Sequence, residues 1–138
     1  MKATAQPPFT IAALRHAYLA GDATPADVVS ALFDRIEAGD GAEAWILLRD
    51  RETVLAEARV LAARLGEAAA LPLLGIPFAV KDNIDVAGLP TTAACPAFEH
   101  VAEDTAAVVE RLLAAGAILI GKTNLDQFAT GLVGTRSP

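Results

Sequence analysis

Lysine is the scarce cation in this 138-residue sequence. Arginine outnumbers it eight to three, and apart from Lys2 the lysines are Lys81 and Lys122. Lys81 directly follows the apolar run Leu73–Val80, and Lys122 nearly follows a second one, Ala117–Ile120. Such runs read as buried strands, and in open α/β sheets ligands bind outside the carboxyl ends of the strands. The residue type matters here. Arginine keeps its proton at any useful pH, whereas a desolvated lysine can give its proton up and then act as a base. Each strand-end lysine therefore has two readings, a base in a cleft or an amine that simply reaches water.

The other reactive side chains lack suitable company. Cys95 with His16 or His100 would make a thiol–imidazole pair, but it lies among Ala93, Ala94 and Pro96 and reads as a small buried hydrophobe. Asp82, Asp85, Glu99, Glu103 and Asp104 have no metal-ligand spacing with histidine, so no metal is expected. Asp82 is expected to orient Lys81 or a nearby backbone group, and Asp104 to cap a helix. The glycines Gly131 and Gly134 precede no Lys-Ser/Thr pair, which excludes a phosphate loop, and no cofactor is expected. The two serines are Ser30, on an amphipathic helix, and Ser137, before a proline. Neither has the setting of a nucleophile.

The elements that must position the lysines follow from periodicity and punctuation. Residues 11–20 read as a helix capped by Thr10 and stopped by Gly21, with Ile11, Leu14 and Tyr18 on one face. Thr24 caps a second helix with Pro25 at its first position and Asp27 in its first turn, and Gly39 ends it. Its apolar face is Val28, Val29, Leu32, Phe33 and Ile36. Trp45–Leu48 is a strand or a packed loop. Asp50 opens a third helix that Gly66 closes, with Val54, Leu55, Ala58, Leu61, Ala62 and Leu65 inward. Between the strands at 73–80 and 117–120, a helix from Asp104 to Gly116 presents Val108, Val109, Leu112 and Leu113. Strand, helix, strand makes a βαβ unit, hence parallel pairing. Asn124 with Gln127 resembles another polar helix start.

Composition sets the outer bounds. Hydrophobic residues make up 54% and charged residues 20%, which excludes disorder and fits one domain. A net charge of −6 lacks the basic footprint of a nucleic-acid binder. No apolar run approaches a membrane span, and no signal peptide is evident at the N-terminus. The single cysteine fits a reducing compartment, so the cytoplasm is expected.

Two segments then carry a resemblance. GIPFAVKDNIDVAGLPTTAACPAFE (75–99) and AILIGKTNLDQFATGLVGTRSP (117–138) are similar to two blocks of the amidase signature family. The resemblance implies an α/β fold, with helices packed on an incomplete, mostly parallel sheet. It makes residues 1–138 the N-terminal portion of one amidase domain, 1–70 a helical lead and 71–138 the first βαβ unit. One face of the sheet should then be unusually exposed. It implies amide-bond hydrolysis by a Ser–cisSer–Lys triad, in which Lys81 is the general base. Both serines would lie beyond residue 138, so this stretch alone should be inactive. Phe128, Ala129, Thr130 and Gly131 would bind a small-molecule amide substrate, Lys122 would support the site without being catalytic, and Thr123 and Asn124 would fix the turn. A homodimeric parent protein is compatible with it.

Within that family, KDNIDVAGLPTTAACPAF and DQFATGLVGTRSP look like the allophanate hydrolase branch, which releases ammonia and carbon dioxide in urea or cyanuric acid breakdown. The alternatives are the branch of the tRNA-dependent amidotransferases, which usually carries an acidic residue where Gln127 stands, and a non-catalytic fragment.

Overall fold

The computed structural model describes residues 9–131, 134, 137 and 138. Most of the N-terminal lead, and positions 132, 133, 135 and 136 of the second block, lie outside them. Helices α1 (Ile11–Ala20), α2 (Pro25–Glu37) and α3 (Arg51–Ala62) surround β1 (Trp45–Leu48) in the chain. Then follow β2 (Pro77–Lys81), a two-stranded ribbon of β3 (Pro90–Thr91) and β4 (His100–Val101), α4 (Ala107–Ala114) and β5 (Ile118–Thr123).

The helix starts obey their caps. Thr24 and Asp27 form a reciprocal capping box, the Thr24 hydroxyl accepting from the Asp27 amide while the Asp27 carboxylate accepts from the Thr24 amide. Thr10 accepts from the Ala13 amide and Asp50 from the Thr53 amide. Gly21 stops α1 in the left-handed conformation.

The main sheet has the order β1–β5–β2, with β5 central. β2 runs parallel to β5 and β1 antiparallel, so the sheet is mixed. The fold class is the expected α/β one, helices on a small sheet. Ile118 and Ile120 of β5 pack against Val29, Phe33, Ile36, Val54, Leu55 and Ala58 of α2 and α3. Leu119 packs on the opposite face with Val80, Val86 and Val109. The outward residues of edge strand β2, Ala79 and Lys81, are exposed.

Several expectations change. The run 73–80 is not all strand: Leu74 and Ile76 close turns on Leu71 and Leu73, and the strand begins only at Pro77. The second strand continues past Ile120 to Thr123. α3 stops at Ala62 rather than near Gly66. Ile11, Val108 and Leu113 face water, being 52%, 54% and 41% exposed. Asp104 caps nothing. Thr105 Oγ1 accepts from the Ala87 amide and the Ala106 amide donates to Asp85, which delays the helix to Ala107. Asn124 starts no α-helix. Its Nδ2 donates to the Glu43 carbonyl and its Oδ1 accepts from Leu125, and only a single 3-10 turn, Gln127–Ala129, follows.

Candidate functional site

Lys81 is the last residue of β2, paired in register with Thr123 at the carboxyl end of β5. Its side chain is exposed and has no polar partner among the described residues. Lys122, one ladder position back, is its opposite, with 0% of the residue exposed. Its ammonium donates to the Pro90 carbonyl at 2.8 Å and to Thr91 Oγ1 at 2.6 Å, and lies 2.9 Å from Asp82 Oδ1. All three of its donors are thereby used.

Strand alternation alone would not bring Lys122 to Asp82. Ile118 and Ile120 face α2 and α3, so an even-numbered Lys122 should follow them. The pairing with β2 instead slips between Phe78 and Ala79, whose partners are Leu119 and Gly121. That irregularity re-aims Lys122 to the face of Leu119 and Val80, where Asp82 also lies. Arg49 supports the step from β1's side, its amide donating to the Ile120 carbonyl at 3.0 Å and its guanidinium to Leu119 at 2.9 Å. Gly121 admits the close approach, since a Cβ there would sit 2.3 Å from the Leu47 carbonyl oxygen.

Asp82 is also fully buried. Its Oδ2 accepts from the Thr92 amide at 3.0 Å and from the Thr92 hydroxyl. It therefore does not orient the Lys81 amine by direct contact; it orients a nearby backbone group, as the other half of the expectation had it. Sequence reasoning missed this Lys122–Asp82–Thr91–Thr92 cluster. The available signal was an ammonium and a carboxylate, each next to a buried strand, with a Thr doublet between them.

The same cluster leads to the second loop. The Ala93 amide donates to the Asp82 carbonyl at 3.0 Å, and the Phe128 amide to the Ala93 carbonyl at 2.9 Å. Two backbone bonds thus tie the residue after Lys81 to the 127–131 segment. Ala93, Ala94, Phe128 and Ala129 all have positive φ, between 51° and 60°. Left-handed backbone is costly for residues with a Cβ and persists where the surroundings enforce it. Phe128, Ala129 and Thr130 are exposed there, while Gly131 is half-buried against Asp126. The Asp126 carboxylate accepts from the Gly134 amide at 2.9 Å. The Phe128 ring meets Phe98 edge-on at 5.2 Å.

The remaining candidates stand apart. Cys95 is half-buried, while His100 stacks edge-on with Phe98 and lies 3.5 Å from Asp85, and His16 is exposed on α1. Ser30 on α2 accepts from Arg51 at 3.1 Å. No helix among the described residues is long and apolar enough to cross a membrane.

The family model described as Amidase matches residues 27–138. A urea amidolyase of Saccharomyces cerevisiae is 60% identical over 95 residues, covering 69% of this chain and 5% of its own length. The amidase-type subunit of a glutamyl-tRNA(Gln) amidotransferase from Deinococcus deserti is 39% identical over 124 residues, or 89% of this chain and 25% of its own. Among solved structures, an allophanate hydrolase of Kluyveromyces lactis superposes with a TM-score of 0.76 at 41% identity. It covers 97% of this chain and 22% of its own. The chain thus spans a quarter or less of these relatives.

Proposed function

Because the chain belongs to the amidase family, we propose that it forms the N-terminal portion of an amidase domain hydrolysing allophanate, with Lys81 as general base. The observation that carries the role is the division between two strand-end lysines. Lys122 is buried and has every donor engaged, whereas Lys81 stands at the end of β2 with its amine uncommitted. A base needs a free lone pair, which only the uncommitted amine can offer.

In this reading the neutral Lys81 amine accepts a proton from a bridging serine, which takes one from the nucleophilic serine as that oxygen attacks the amide carbonyl. Ammonia leaves with a proton, and water then releases the acyl group, which ends as carbon dioxide. Both serines come from residues other than 1–138, since Ser30 is held by Arg51 and Ser137 adjoins Pro138. Phe128, Ala129, Thr130 and Gly131 line the acyl-binding side, their backbone fixed to the Lys81 strand end through Ala93. Allophanate is favoured because the urea amidolyase similarity is 60%, against 39% for the amidotransferase. Cytoplasmic residence belongs to the same proposal.

The test is ammonia release from allophanate by the whole protein carrying Lys81→Met or Lys81→Arg. A general base contributes about 10²- to 10⁴-fold, and both variants should lose at least about 10²-fold in kcat/KM. Full activity in Lys81→Arg would overturn the role. Hydrolysis of glutamine but not of allophanate would assign the amidotransferase branch instead.

A further inference from the structure

We infer that Lys122 is a positioning residue for the base: it neutralises the Asp82 carboxylate next to Lys81 and so keeps the Lys81 amine free to lose its proton. This rests on Lys81 being the base. A buried ion pair is a poor stabilising device, because well-packed apolar side chains of similar volume often do as well or better. Apolar company is at hand, with Val80, Val86, Val109 and Leu119 forming the core on that face. The fold nonetheless spends a strand irregularity, two threonines and the Pro90 carbonyl on seating the pair.

Position supplies a reason. Asp82 is adjacent to Lys81 in sequence, and neither Asp82 nor Lys122 has any exposure to water. A bare carboxylate there would be poorly screened and would favour the Lys81 ammonium. A bare ammonium would do the reverse. The other titratable groups on elements around this strand end are Asp85 with His100, Cys95, Asp126 and Glu43. Asp85 and His100 are each about half-exposed and face one another, and the Asp126 carboxylate accepts from the Gly134 amide. Glu43 is exposed and Cys95 half-buried. Lys122 is therefore the group whose loss would unmask a fully buried charge beside the base.

The experiment measures kcat/KM against pH for the whole protein with allophanate, comparing Lys122→Gln, Asp82→Asn and the charge-neutral double variant. A unit charge about 8 Å away, at an effective dielectric of about 30, moves the acid limb by about one pH unit, or tenfold in neutral amine. The limb should move up in Lys122→Gln, down in Asp82→Asn, and return to within about 0.3 unit in K122Q/D82N. Should one single variant not fold, the other and the double still decide. A merely structural pair would move both single variants in one direction or neither, and that result overturns the inference. If Lys81→Met abolishes activity while the three limbs coincide, this inference fails alone. If Lys81→Met keeps both activity and limb, the base assignment itself fails.

Discussion

Replacing Gly121 by alanine should loosen the strand that carries Lys122 and pairs with Lys81. The added Cβ would lie 2.3 Å from the Leu47 carbonyl oxygen, 3.1 Å from Leu48 Cα and 3.2 Å from the Trp45 ring. A relaxed C···O contact needs about 3.3 Å, so β1 must retreat by about 1 Å. The obstacle is backbone, which cannot swing aside as a flexible side chain would. Retreat sacrifices the Leu47–Lys122 and Leu48–Gly121 pairings and the Arg49 to Ile120 hydrogen bond. Three such bonds at about 1 kcal/mol each, less up to about 1 kcal/mol for losing a strand glycine, leave about 2–3 kcal/mol. Overpacking in a core costs a similar amount. Hydrogen exchange reads this locally in the whole protein, and β5 amides should exchange about 30- to 150-fold faster. Gly66→Ala is the control, because nothing lies within 4 Å of its Cβ and its effect should stay within about 0.5 kcal/mol. Unchanged β5 exchange in Gly121→Ala would refute the packing argument.

Other outcomes follow from particular contacts. Thr24→Ala removes half of the capping box and should cost about 1 kcal/mol, read as faster exchange in the first turn of α2. Burial, and secondarily the Asp27 charge, holds the Tyr18 hydroxyl protonated well beyond the ordinary phenol range while it donates to the Gly75 carbonyl at 3.0 Å. That support is fully present below the unfolded value of about pH 10 and is lost as pH rises towards the folded one. Tyr18→Phe should cost about 1 kcal/mol at neutral pH and flatten the alkaline decline in thermal unfolding. The Thr53 hydroxyl, then the Thr53 amide, holds the Asp50 carboxyl below its usual range. The sign is therefore opposite: support for the start of α3 is present above about pH 4 and fades as pH falls, and exchange of its first turn in Thr53→Val should show a weaker acid dependence. In Gly131→Ala a Cβ would fall 2.2 Å from Asp126 Oδ2, so the Gly134 bond should break and KM for allophanate should rise.

Much of this architecture is legible in the residues because the physics is local. Thr24-Pro25 with Asp27, and the left-handed Gly21, set helix ends within a single turn of chain. The α2 stripe of Val28, Val29, Phe33 and Ile36 forms its core because each residue repeats the helical period. What escaped depends on partners distant in sequence. Helix α4 starts late because Thr105 and Ala106 are tied to residues 85–87, a contact no capping rule contains. Lys122 points to the Asp82 face because the ladder slips opposite Phe78 and Ala79, and periodicity assumes no slip. Lys81 was picked out by its residue type at a strand end. The partner taken by Asp82 required knowing which face Lys122 would choose. The positive φ values of Phe128 and Ala129 had no glycine signal, since neighbouring loops impose them.

Chemical rescue examines the role of Lys81 most directly. With alanine at position 81 in the intact enzyme, added primary amines should restore part of the allophanate turnover. The restored rate should climb with pH as each amine sheds its proton, and with amine basicity at a fixed free-base concentration. Indifference to every amine tried, together with an arginine at the same position working as well as lysine, would mean that no proton passes through this nitrogen.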